Sequence, residues 1–224
     1  MTTSPFTPGT AVRWQRRKQR TRSAIEETSL RLFADKGFEE TTVDDLAAAA
    51  GIGRRTFFRY YPSKNDVVFG DYDARTRILR ETLSAAGPGV HPVEMVRRAL
   101  RATNDYAPDE YVSLAIRIWL LTHVRSLQAH AAWRYSSWED LIVEHVLART
   151  GGAHRLYACG LAKTSIAAMW AAYTVWLDEG AGANLTTLID EAFARLRAGF
   201  ADLPTVTGDG AAEPDATLRG RSGA

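Results

Sequence analysis

Residues 42–64 read TVDDLAAAAGIGRRTFFRYYPSK, two short helical patterns joined at Gly51. Thr42 stands three residues before Asp45, a capping-box spacing with Asp in place of the usual Glu. Val43, Leu46, Ala47 and Ala50 fall on one face of the first helix. The small residues Ala47–Ala50 leave room for a second helix to cross it. Gly51 permits a turn that a side chain would resist, and Ile52 is placed to fill the angle between the helices. The second helix, Arg54 to Tyr61, ends at Pro62, which cannot continue it. Two short helices around a tight glycine turn make a helix-turn-helix.

Outward from this unit the chain reads as helix almost throughout. Upstream, Ile25, Ser29, Leu32 and Phe33 stripe a helix from about Arg16 to Lys36, capped by Gly37. Downstream, Ser63 opens a helix that keeps register to about Ala86. Gly87-Pro88-Gly89 breaks the chain, and helices follow at about 92–106, 111–127, 131–149, 154–179 and 185–201. The expected fold is all-α. A disordered lead spans residues 1–12, a helix-turn-helix head 13–62, a helical ligand-binding and dimerisation bundle 63–202, and a disordered tail 203–224.

Composition narrows the function. The 224 residues are 46% hydrophobic, enough for a real core. The single cysteine, Cys159, cannot form an internal bridge, which fits a reducing cytoplasm. The longest charge-free apolar run, Thr164–Leu177, is shorter than the roughly 20 residues of a membrane span, so no membrane partner is expected. Charge is uneven: residues 1–70 hold 12 Lys+Arg against 8 Asp+Glu, and the rest hold 16 against 18. Six of the basic residues (Arg13, Arg16, Arg17, Lys18, Arg20, Arg22) precede the first acid, Glu26. A basic head on a slightly acidic body points to a polyanion, or to a solvated arm.

A helix-turn-helix of this size fits the major groove of DNA. Arg55 can pair with a guanine edge, and Thr56 or Phe57 can touch a thymine methyl. Arg54 and Tyr61 stand at the helix's outer edge. Tyr60, Lys64 and the helix start at Thr42 can hold phosphates. The same unit can also be a packing element or dock on a protein. No Gly-rich phosphate loop, His-Glu-x-x-His motif or Cys/His metal cluster is present in the sequence. No enzyme activity, cofactor or metal is therefore expected, with an all-helical enzyme or a protein-interaction module as the alternatives.

The stretch LFADKGFEETTVDDLAAAAGIGRRTFFRYYPSK resembles the DNA-binding head of the TetR family of bacterial regulators. Within that family, GRRTFFRYYPSKNDVVFGDYD is similar to the regulators found with mycofactocin biosynthesis clusters. The resemblance implies a homodimer with a three-helix head and a six-helix body. It further implies a palindromic double-stranded operator and release by a small-molecule effector, for this subgroup a long-chain acyl-CoA. Many members carry Tyr where this chain has Phe58, and that hydroxyl contacts phosphate. Phe58 is accordingly read as core, with the phosphate role moved to Tyr60 and Lys64. Arg55 replaces the small residue of many relatives and is the candidate for subgroup-specific base contact.

In the body, Arg117 lies on an apolar arc with Leu114, Leu121 and Val124. It needs either an internal partner, such as Asp140 or Glu144, or a ligand anion. His123 and His130 pose the same choice between packing and ligand. Trp119, Trp133, Trp138, Trp170 and Tyr173 are either core or the lining of an apolar effector cavity. Two apolar stripes form the expected dimer surface, or else pack within the subunit. They are Ile166-Met169-Trp170-Tyr173-Leu177 and Leu185-Leu188-Ile189-Phe193-Leu196.

Overall fold

The computed structural model describes residues 8–199, and every regular element among them is helical. The helices are α1 (Pro8–Lys36), α2 (Val43–Ala49), α3 (Arg54–Tyr60), α4 (Lys64–Val68) and α5 (Tyr72–Ala85). They continue as α6 (Pro92–Thr103), α7 (Tyr111–His123), α8 (Arg125–Arg149), α9 (Arg155–Asp178) and α10 (Leu185–Ala198). A short 3-10 turn at Pro108–Glu110 leads into α7. The all-α expectation holds. The tail at 203–224 and residues 1–7 of the lead lie outside the described residues.

Three boundaries differ from expectation. Helix α1 begins at Pro8, a residue suited to a helix's first turn. The helix expected from Ser63 to Ala86 is interrupted at Phe69-Gly70-Asp71, giving α4 and α5. The cause is tertiary. Arg22 of α1 donates to the Gly70 carbonyl at 3.2 Å, and a side chain at Gly70 would strike the Glu26 carboxylate. The turn between α7 and α8 falls at Val124, which is extended, and not beyond Leu127. No Gly or Pro marks it, and the shift puts Leu127 and Ala131 of α8 under the head.

Ile25, Leu30, Phe33, Leu46, Phe57, Tyr61, Val67 and Val68 fill the head. The same cluster continues into Leu120 and Leu121 of α7 and Leu127 and Ala131 of α8. Head and body therefore share one apolar seam. Each large side chain so buried contributes roughly 1.5–3 kcal/mol relative to exposure. A second cluster, from Leu79 and Met95 through Trp138 and Met169 to Phe193, holds α5–α10 together.

The second cluster corrects the dimer stripes. Ile166, Met169, Tyr173, Leu185, Ile189 and Phe193 are buried inside their own subunit. The outward face of α9 carries Gly160, Thr164, Ala167, Ala171 and Thr174 instead. Helix α10 is fixed to α6 by Asp190, which pairs with Arg97 and, at 3.0 Å, with Arg101. Among the described residues no helix is long and apolar enough to cross a membrane.

Candidate nucleic-acid interface and effector site

The α2–α3 corner is built by local chemistry. The Thr42 hydroxyl accepts from the Asp45 amide at 3.2 Å, and Asp45 accepts from the Thr42 amide at 2.8 Å. This is the expected capping box. The Lys36 hydrogen bond, and then the Thr42 amide, hold the Asp45 carboxyl well below the usual carboxylate range. At the other end of α2, Gly51 has φ +65°. Its amide reaches Ala48 and the Ile52 amide reaches Ala47, a doubly bonded helix stop that needs the left-handed glycine.

Helix α3 then separates its residues by face. Arg55 is exposed and Thr56 half-buried. Arg54 is exposed, pairs with Asp44 at 2.7 Å and lies 5.4 Å from the Phe58 ring centroid. Tyr60 is half-buried beneath the Arg59 guanidinium. Phe57 is 0% exposed, so it belongs to the head core and not to a base contact. Its neighbour Phe58 is 42% exposed, which reverses the reading of Phe58 as core. Seven helical residues span two turns, and the core-facing position is 57, one residue earlier than assigned.

Tyr61 and Lys64 also leave the outer surface. Tyr61 is fully buried, and its hydroxyl donates to the Glu26 carboxylate at 3.0 Å. Burial and then the Glu26 charge push its pKa upward. The Lys64 ammonium donates to the carbonyls of Phe38 (2.8 Å), Glu39 (3.2 Å) and Thr41 (3.3 Å). Those three bonds use all its donors, so Lys64 clamps the α1–α2 loop and has none left for phosphate.

In the body, Arg117 is 8% exposed and pairs with Glu26 of α1 and Asp71 before α5. Asp140 and Glu144 are not its partners. Burial pulls the guanidinium pKa down, but Asp71 and Glu26 outweigh it and push it above its ordinary value. Asp71 also accepts from the Tyr106 hydroxyl at 2.7 Å and lies 3.5 Å from Arg75. The cluster thus joins α1, α5, α7 and the α6–α7 loop.

Beside it lies an aromatic group. Tyr72 stacks on Trp138 (centroids 5.7 Å apart), Tyr135 meets Trp138 and Trp170 edge-on, and Trp170 meets Tyr173. Trp138 donates to Thr76 at 2.7 Å, and Tyr173 to Asn104 at 2.5 Å. Arg117, Trp138 and Tyr173 line a small cavity of about 20 Å³, with Tyr72, Tyr106 and Tyr135. Trp119 and His123 do not reach it. They stack on each other at the surface, where Trp119 is 49% exposed. Trp133 is 70% exposed, and His130 packs between it and Phe69. Periodicity could not show that these rings point outward, because α7 is apolar on most sides and α8 has no single apolar stripe.

Comparison with known proteins places this architecture. Residues 25–69 match the family described as bacterial regulatory proteins, tetR family, and residues 90–201 match the MftR C-terminal domain. The chain is 33% identical over 187 residues to the putative mycofactocin biosynthesis transcriptional regulator MftR of Mycobacterium tuberculosis. That match covers 83% of this chain and 93% of the relative. The chain belongs to the TetR family. It is therefore a helix-turn-helix, DNA-binding transcriptional regulator and not an enzyme.

Two solved TetR-type folds are also similar. Thermus thermophilus FadR, a transcriptional repressor solved with lauroyl-CoA, is 26% identical with a TM-score of 0.54, over 84% of this chain and all of that one. The fatty acid degradation regulator FadR of Bacillus halodurans shares the fold at 18% identity and TM-score 0.60, over 81% of this chain and 96% of its own. Within this TetR-family frame, sequence reasoning missed Glu26, Gly70, Asp71, Tyr72, Tyr106 and Tyr135. One signal was available: Gly70 stands inside an otherwise helical run, which marks a break or a close approach.

Proposed function

We propose that this regulator is a homodimeric repressor that leaves a palindromic operator when a long-chain acyl-CoA binds its body. The exposed face of α3 carries the DNA half of this reading. Arg55 is exposed and without an ion pair among the described residues, so it is free to make two bonds to a guanine edge. Thr56 would touch a neighbouring base. Arg54, Tyr60 and the start of α2 at Thr42 would bind flanking phosphates, aided by the exposed Arg13, Arg16, Arg17 and Arg20 of α1. The outward face of α9, with its small side chains, would let a partner's helix approach closely to form the dimer.

The effector half draws on the similarity to the lauroyl-CoA-bound FadR. The aromatic cavity, with Arg117, Arg75 and Asp71 at its polar side, is the proposed seat. At about 20 Å³ it is too small for such a ligand, far below the roughly 300–1,000 Å³ of ligand pockets. The effector must therefore favour a second, open state of the body, and its differential affinity for that state drives release.

The test is binding to duplex DNA from upstream of the protein's own gene, at two salt concentrations, with random duplex as competitor. Duplexes selected from a random pool extend it to distant operators. Tight, salt-dependent binding that survives the competitor and is reversed by lauroyl-CoA is expected. Failure to select any duplex would overturn the regulator reading. Selection without release would overturn the acyl-CoA reading alone.

A further inference from the structure

The small cavity has a neighbour. A cleft of about 1100 Å³ lies between α1 and the facing ends of α5 and α7. It is polar and walled by both signs of charge: Arg16, Arg22 and Arg77 stand among Glu27, Asp73 and Glu110, so an anion would enter along the arginine side. Cleft and cavity share four residues: Asp71, Tyr106, Leu114 and Arg117. These four form the partition between them. We propose that this partition is a latch. Closed, it holds the head in its operator-binding position; an amphipathic anion moving from cleft to cavity opens it by drawing Arg117 off its carboxylates. The proposal deepens the effector reading above and rests on it.

Three observations support the latch. First, the two carboxylates on Arg117 come from parts that must move relative to each other. Glu26 belongs to α1 of the head, and Asp71 to the turn that starts α5. Each is held from the other side by a tyrosine, Glu26 by Tyr61 and Asp71 by Tyr106. Second, the Arg117 Nε is buried and has no hydrogen-bond partner. An incoming carboxylate or phosphate would accept from it, and the Glu26 and Asp71 carboxylates left behind keep the Tyr61 and Tyr106 hydroxyls as donors. Third, the Glu26 carboxylate occupies the space that a side chain at residue 70 would fill. A methyl group there would lie 2.0 Å from the Glu26 Oε2.

The remaining head–body contact is different in kind. Leu120, Leu121, Leu127 and Ala131 meet the head through apolar surface, which has no directional preference. The ion cluster is directional. Once it opens, the head can turn about the apolar seam, and the spacing of paired heads changes.

Glu26→Gln and Gly70→Ala test the latch. Glu26→Gln removes the charge at nearly constant shape; Gly70→Ala displaces the same carboxylate without removing it. Both would be compared with the parent chain for a selected operator duplex, for random duplex, and for the effect of lauroyl-CoA on each. Without ligand, each variant should bind operator about tenfold more weakly. Binding to random duplex should stay at the parent's level, since each head keeps its phosphate contacts. Lauroyl-CoA should then lower operator affinity by a smaller factor than it does in the parent. Equal operator affinity and equal release in parent and variants would overturn the latch. So would an equal loss of operator and random binding, the signature of a damaged fold. If Gly70→Ala does not fold, Glu26→Gln carries the test. If lauroyl-CoA does not release the parent, the acyl-CoA reading fails, and the ligand-free operator affinities still decide the latch.

Discussion

Lys64 sets its ammonium 2.8 Å from the Phe38 carbonyl oxygen and 4.5 Å from the centroid of the Phe38 ring. One side chain thus closes the end of α1 from across the head, using a charge-assisted hydrogen bond and a cation–π contact to the same residue.

Replacing Lys64 by Met should therefore act on stability before it acts on DNA. Three carbonyl oxygens lose their shared donor, a loss of about 1–3 kcal/mol. Urea unfolding should show the lower midpoint. The salt dependence of DNA binding should keep the parent's slope, whereas a phosphate contact would reduce it by about one unit.

Arg55→Ala should do the opposite. Its side chain is exposed and makes no ion pair among the described residues, so the unfolding midpoint should stay within the small range of surface substitutions, about ±0.5 kcal/mol. Specific binding should weaken by about 1–3 kcal/mol with relaxed preference at one base pair, read by competition with single-base operator variants.

Phe57 and Phe58 form an internal control. Phe57→Ala empties a fully buried site and should cost about 3–5 kcal/mol in chemical unfolding. Phe58→Ala removes a partly exposed ring and should cost far less, while loosening the Arg54 guanidinium beside it. Equal losses would show that the ring faces are assigned wrongly.

Acid should weaken the Glu94 ion pairs within α6 in a defined window. The Arg97 hydrogen bond, with Arg98 adding to it, lowers the Glu94 carboxyl from an ordinary 4.5 to about 2. A carboxyl with a depressed pKa in the folded state stabilises above its unfolded value. That contribution is lost as pH falls from about 4.5 towards about 2. Glu94→Gln should lower stability at neutral pH and flatten the decline across that interval, measured by thermal unfolding at stepped pH.

Much of the head was legible because its determinants are local. The Thr42–Asp45 cap and the Gly51 stop each depend on residues within a turn or two, and both take the expected form. The DNA-facing residues were legible only in part. Two helical turns hold too few residues to fix a face by periodicity, so Phe57 and Phe58 exchanged roles. Lys64 and Tyr61 find partners 23 to 39 residues away in the chain, and no local pattern announces them. Arg117 was legible as a buried cation in need of a partner. The partners themselves, 91 and 46 residues distant, emerge only when α1 is laid along α7.

That crossing bears on how such regulators are recombined. A chimera joined at Pro62 would carry Glu26 and Tyr61 into a foreign body while leaving Arg117, Gly70 and Asp71 behind. Its graft would bring an unneutralised carboxylate to the joint, facing whatever stands where Gly70 stood. The transplantable unit is not the DNA-binding triplet of helices alone. It extends through the α4–α5 turn and takes in one arginine from the middle of α7, so moving this head depends on a contact outside the head's own sequence.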